Sequence, residues 1–171
     1  MLDNLCRQIQ GQSRNPEKPW SSLISGFLLM LLVAPATLAQ TANFGALTLG
    51  AGKVSGALSG STGGGASLPA IVSNRDRHNN QCLGFGSPTP DHILILQQDM
   101  ATLRLKLDSG GSDTTLVVRG SDGRIRCGDD TSPTNKDASI IDTDWKAATY
   151  EIWVGSTSPG LRRDYTLYIR P

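Results

Sequence analysis

Residues 113 to 130 read DTTLVVRGSDGRIRCGDD, with four aspartates set around one short apolar run. Asp113 precedes the run, Asp122 follows it, and Asp129 and Asp130 close the stretch just after Cys127 and Gly128. Carboxylates in such places suit two kinds of work. They cap turns by accepting hydrogen bonds from nearby backbone N–H groups. They also ligate calcium, which takes about six to eight hard oxygen donors. If Asp113, Asp129 and Asp130 meet at one rim, they are candidate calcium ligands, with Asn135 and Asp137 close by in sequence. The spacing fits no EF-hand loop, so the turn-cap reading and the metal reading both stand.

Other reactive types are sparse. His78 and His92 are the only histidines. A serine hydrolase needs a nucleophile, a base and an orienting acid. No serine sits in G-x-S-x-G or G-D-S-G-G, and SGGSD at 109–113 lacks the leading Asp of the latter. The sequence therefore argues against an enzyme, with His78 read as a solvated loop residue and His92 as a strand-edge residue. Zinc wants clustered His and Cys, and HNNQC at 78–82 offers only one of each, with Cys82 expected to be oxidised, so zinc is not expected.

The elements that must hold these residues begin after an export segment. Arg7, Arg14 and Lys18 precede the apolar run LISGFLLMLLVA, and APATLAQ follows it. Basic, apolar and small-residue regions in that order are the layout of a secretory signal peptide over 1–39. Retention as an anchor is the alternative reading, although the run is short for a bilayer, which needs roughly 20 residues. Three of the 16 basic and two of the 15 acidic residues precede the cut, which leaves 13 of each. A formally neutral chain gives no charge-based reason to expect nucleic acid or, once the signal is removed, an anionic membrane.

Two cysteines follow the cut, Cys82 and Cys127. An even pair in an exported chain is most simply a disulfide. Closing a loop of about 45 residues is valued at roughly 4 kcal/mol in chain-entropy models. Twelve of the 13 acids after the cut are Asp rather than Glu, and Gly is frequent at 19, which favours strands joined by turns.

Alternation supplies the strands. FGALTLGAG and KVSGALSG read as two short strands, STGGGASLP as loop, and 70–90 as an irregular polar stretch. HILILQQ is apolar on both faces, as in a central strand. ATLRLKL points Leu103, Leu105 and Leu107 inward and leaves Arg104 and Lys106 wet. TTLVVRG and RIRC flank GSDG, a hairpin turn. YEIWVGS sets Tyr150, Ile152 and Val154 against Glu151 and Trp153, and YTLYIR sets Tyr165, Leu167 and Ile169 against Tyr168. The expected fold is an all-β antiparallel sandwich in one domain, with 40–90 supplying strands and loop and 91–171 the body. Trp153 and Tyr168 on outward faces are candidate binding rings for a protein or polysaccharide partner; the alternative reading, which is preferred, is that they cover a second core layer. Trp145 is read as a loop residue.

Asp91, DTTL at 113–116, Gly123, Asp129-Asp130 and AATYEIWVGS at 147–156 together resemble the bacterial pre-peptidase C-terminal domain. The paired cysteines and PDHILIL resemble a secreted cyanobacterial subgroup. Ala148-Thr149 stands where that family usually has Gly before the last Tyr strand. The resemblance implies a jelly-roll-like, noncatalytic module of secreted hydrolases, associated with adhesion, export or maturation. The expected function is a noncatalytic secreted or periplasmic binding or accessory module. The alternatives are a secreted hydrolase or a structural envelope component.

Export predicts a mature N-terminus at or near Gln40. N-terminal sequencing of exported material checks it, and an intact segment 23–34 in the membrane fraction would favour the anchor.

Overall fold

A computed structural model describes residues 41–171; the expected export segment, with Cys6, lies outside the described residues. The described chain is nearly all strand. In order it runs β1 (Gly45–Leu49), β2 (Gly56–Ser61), β3 (Ala66–Ser67), a single helical turn α1 (Leu68–Ile71), β4 (Phe85–Gly86), β5 (His92–Leu96), β6 (Met100–Asp108), β7 (Thr114–Gly120), β8 (Ile125–Ser132), β9 (Asn135–Trp145), β10 (Thr149–Ser156) and β11 (Asp164–Arg170). The stretch STGGGASLP, expected as plain loop, thus holds β3 and the start of α1, whose Pro69 sits in the first turn where its missing N–H is harmless.

The strands hydrogen-bond in the order β1-β5-β10-β7-β8-β9-β6-β11-β2, with β3 and β4 attached beside β10. β8 divides this path. Its first half pairs with β7, ending at Leu116 opposite Gly128. Its second half pairs with β9, starting at Asp129 opposite Ser139. One strand therefore passes from the first layer to the second, as corner strands of sandwiches do. Gly128 permits the crossing: a Cβ there would lie 2.1 Å from the Ser139 carbonyl oxygen and 2.6 Å from Ile140 Cγ1.

The alternation expected for β6, β10 and β11 is found. Leu103, Leu105, Leu107, Tyr150, Ile152, Val154, Tyr165, Leu167 and Ile169 all enter one core, joined from β1, β5, β7 and β9 by Leu47, Leu94, Leu116 and Ile140. The β7–β8 hairpin closes as expected through Gly123, whose φ is +80°. Asp122 Oδ1 accepts from Arg124 N at 3.0 Å, which caps that turn.

Three expectations need correction. The sheet is not wholly antiparallel, because β1 runs parallel to β5; the long connection carries β2 into the opposite layer first, which a parallel pair requires. Trp145 is not in a loop. It ends β9, fully buried, with its Nε1 donating to the Asp142 carbonyl at 3.0 Å and its ring 5.1 Å from Tyr150. His92 is no edge residue either: β5 lies between β1 and β10, and the buried imidazole Nε2 lies 2.9 Å from Tyr165 Oη in β11.

Asp91, just before β5, ties the start of the described chain to β10. Its buried carboxylate accepts from Val154 N at 2.7 Å and Asn43 Nδ2 at 3.0 Å. Burial pushes Asp91 up to about 6, against those two hydrogen bonds, and pushes His92 down to about 4. The two act on stability in opposite senses. Asp91 binds its proton more tightly when folded, so its contribution falls as pH rises from about 4 to 6. His92 binds its proton less tightly when folded, so its contribution rises over about 4 to 6.5. Asp91→Asn should unmask the His92 slope. Chemical denaturation from pH 4 to 6.5 should show the variant gaining stability with pH more steeply than the parent, by on the order of 2 kcal/mol across the range; equal slopes would refute the assignment.

Candidate functional site

The two layers differ in what covers their outer faces. On the outside of β7 and β10, Val117 and Trp153 pack with Leu68 of α1 and with Cys82, forming a second small core with Val72, Ile125 and Cys127 at its border. The irregular stretch expected from sequence is thus a cover for this layer, held by the Cys82–Cys127 disulfide with its Cα atoms 5.2 Å apart. Trp153 does occupy the face opposite Tyr150, but it is only 2% exposed and Arg119 lies over its ring at 5.0 Å. It offers no open platform, because the cover removes the surface that a two-faced strand would otherwise expose.

No described segment covers the outside of the second layer in the same way. Tyr168 stands there at 44% exposure, and Ile141 at 63%. Register places the rest of the face around them. Tyr168 on β11 is opposite Lys106 on β6 and Ala57 on β2. Arg170 is opposite Arg104, and Arg104 is opposite Ile141 on β9. Thr102 faces Thr143, and Thr166 faces Asp108. Tyr168, Lys106, Arg170, Asp108, Asn135 and Asp137 also line an open cavity of about 380 Å³, a volume within the usual small-ligand range.

The face carries three cations, Arg104, Lys106 and Arg170, and three acids, Asp108, Asp137 and Asp164, with the cations gathered toward one end of the strands. Arg104, Lys106 and Arg170 make no ion pair among the described residues, whereas Arg77, Arg119, Arg124, Arg126, Lys136 and Lys146 all do. Arg104 and Arg170 are moreover direct cross-strand partners, and like charges so placed destabilise a sheet. Asp137's carboxylate accepts from the backbone N and hydroxyl of Ser109, neutral donors that hold it in place and leave its charge. The chain's overall neutrality hides this segregation. Alternation in ATLRLKL and YTLYIR already puts Arg104, Lys106 and Tyr168 on wet faces. The register that makes them neighbours is the missing step, because β6 and β11 lie far apart in sequence.

Asp113, Asp129 and Asp130 do meet. Each places one carboxylate oxygen within 4.8 Å of the others, because Asp113 leads into β7 and the two others follow the corner at Gly128. Asp129 also accepts from the backbone of Asp130, and Asp130 is paired with Lys136. Partial burial, then the neighbouring Asp130 and Asp113 charges, push Asp129 above the usual carboxylate range.

The histidines are engaged elsewhere. His78 is not merely solvated: its Nε2 lies 3.0 Å from Asp142 Oδ1, and Asp142 also receives Arg126 Nε at 2.7 Å and Arg77 at 3.1 Å. Arg126 is only 2% exposed and stacks on Trp145 at 3.9 Å, so this cluster joins β8, β9 and the cover. Among the described residues no serine or threonine hydroxyl is hydrogen-bonded to either imidazole.

No family model and no curated protein matches the chain. Among solved structures it is similar to the crystal structure of Aeromonas hydrophila PliG, a periplasmic lysozyme inhibitor of g-type lysozyme. The identity is 13%, the match covers 73% of this chain and 96% of that one, and the TM-score is 0.37. A likeness of that size carries no inference about what this chain binds.

If the Arg104–Arg170 pair serves a ligand rather than the fold, removing the repulsion should help the free protein. Arg104→Glu should raise stability by about 0.5 kcal/mol in low salt, through an opposite-charge cross-strand pair, and the gain should shrink in high salt. A denaturation series at both salt levels checks it; a loss of stability in low salt would contradict it.

Proposed function

We propose that this chain is a noncatalytic secreted or periplasmic binding module, and that the outer face of β11, β6 and β9 is its binding surface. The observation that carries the reading is the exposed Tyr168 beside Lys106 and Arg170, on a face where Arg104 opposes Arg170 without an acidic partner. The disulfide supports an oxidising compartment. A protein or a polysaccharide is the class of partner such a face serves. The motifs shared with pre-peptidase C-terminal domains agree with an accessory role, and Asp91, one of them, is occupied in holding β10. The hydrolase reading is disfavoured because, among the described residues, no serine or threonine hydroxyl is hydrogen-bonded to His78 or His92, and His92 is buried against Tyr165.

The acidic rim enters this reading as a calcium site. Asp113, Asp129 and Asp130 would supply three of the oxygen ligands, with backbone carbonyls and water completing the shell. Lys136 would be the competing cation. Binding to the folded state alone would stabilise it by roughly 2.7 kcal/mol at a hundredfold excess over Kd. Thermal melts with millimolar calcium and with chelator should differ for the parent and hardly differ for Asp130→Asn. Coincident melts of the parent would exclude the site at that affinity.

Amide chemical shifts of the labelled mature chain test the surface. The titrants are a neutral glucan oligomer, an acidic polysaccharide and polyglutamate. At least one should shift residues clustered around Tyr168, Lys106 and Arg170. Shifts that are absent with all three, or scattered over both layers, would reject the face as a binding surface.

A further inference from the structure

We infer that the ligand of this face is a carboxylated polysaccharide, a chain of uronic acid units laid across β11, β6 and β9. The inference rests on the binding-face reading above and narrows it to one class of partner.

The charges come first. Arg104 and Lys106 are two apart on β6, so their side chains leave the same face about 7 Å apart. Arg170 is Arg104's neighbour across the strand pair, about 5 Å away at the backbone. Three cations thus form a short, bent row, with no acid paired to any of them among the described residues. A guanidinium offers a planar fork of donors that fits a carboxylate in two-point contact. Two guanidiniums held side by side are a liability until an anion lies between or above them. Carboxylates recurring along a polymer supply that anion at more than one point.

The uncharged groups select a sugar over other anions. Tyr168 stands next to Lys106 in the register, an exposed ring onto which the apolar side of a pyranose can stack. Thr102, Thr143, Thr166 and Ser139 surround the cations at the neighbouring register positions. Their hydroxyls can each give and accept a hydrogen bond, which matches the hydroxyls of a sugar. Asn135 lines the cavity beside Tyr168 and offers both a donor and an acceptor; the Asp108 and Asp137 carboxylates line it too, so the uronate carboxylates lie toward Arg104 and Arg170.

An acidic protein fits less well. Protein interfaces centre on a desolvated apolar and aromatic patch inside a polar rim. Here the two large apolar groups are held apart: Tyr168 is on β11, Ile141 is on β9, and β6 with Arg104 and Lys106 runs between them. Among the described residues no continuous apolar centre exists on this face. Nucleic acid binding draws on many phosphate contacts, and three cations give few.

The test uses the mature, disulfide-bonded chain and a defined oligogalacturonate as probe. Four ligands are titrated under the same low-salt buffer, with amide shifts and calorimetry as readouts. They are the oligogalacturonate, its methyl ester, polyglutamate and single-stranded DNA. The oligogalacturonate should shift the Tyr168 surroundings. The ester, which keeps the sugar and loses the charge, should bind at least about tenfold more weakly, a difference of roughly 1.4 kcal/mol. Polyglutamate and DNA, which keep charge and lose the sugar, should be weaker by a similar factor. Arg104→Ala with Arg170→Ala should weaken oligogalacturonate binding by more than about tenfold. Tyr168→Ala should weaken it by about fivefold and Tyr168→Phe should retain it, since the ring does the stacking; their melting curves establish that both variants are folded. Equal or tighter binding of the ester, polyglutamate or DNA at this face would overturn the uronate assignment and leave the binding-face reading standing. Oligogalacturonate affinity unchanged in the arginine double variant would also overturn it. Failure of all four ligands to shift the face would overturn both.

Discussion

The two layers of this sandwich are one sheet, and the sheet can turn only where β8 lets its backbone touch β9. At Gly128 the approach leaves no room for a side chain: a Cβ would sit 2.1 Å from a backbone oxygen that is itself held in the β9 ladder. The residues around Gly128 follow from this corner. Cys127, one residue before it, points outward and bonds to Cys82. Arg126, pointing inward, reaches Asp142 on β9 and stacks on Trp145, closing that end of the core. Asp129 and Asp130, just after the corner, emerge at a rim where Asp113 also lies. The stretch RCGDD is the local chemistry of a strand changing layers.

The corner also sets up the asymmetry that gives the molecule a free surface. The disulfide pulls the irregular stretch onto β7 and β10, where Val117 and Trp153 make that outer face apolar enough to need a cover. The same stretch does not cover the other layer, whose outer positions include Arg104, Lys106, Arg170, Asp108 and Asp137 beside threonines, Tyr168 and Ile141. Burying that face would strand cations without partners, so its composition only makes sense wet or bound. A sandwich with one covered and one bare outer face has a defined place for a ligand without needing a deep pocket.

Much of this was legible in the sequence, and the unread part has a common physical origin. Period-2 alternation set the inward residues of β6, β10 and β11 correctly because a half-buried strand carries its orientation in its own residues. The disulfide followed from counting cysteines in an exported chain. The gathering of Asp113, Asp129 and Asp130 was legible as a condition, since hairpin strands bring their ends together. Trp145 and His92 differ from the expectation, and the two readings of Trp153 stayed open, because what packs on a residue is decided by distant segments and not by its own strand's pattern. Trp153 is covered from 68 and 82, and His92 meets Tyr165 from the last strand. The basic face stayed hidden for the same reason, because Arg104 and Arg170 become neighbours only through register.

If the corner is the constraint that joins the layers, a single methyl group at Gly128 should weaken both at once. The direct measurement is native-state hydrogen exchange and denaturation of Gly128→Ala beside the parent. Over-packing of this kind costs typically 1–3 kcal/mol, and a backbone obstacle that cannot rotate away belongs at the upper end of that range. The account predicts a loss of about 3 kcal/mol, with amide protection falling together in β10 of the first layer and β11 of the second. A variant as stable as the parent, or one that loses protection in a single layer, would contradict it.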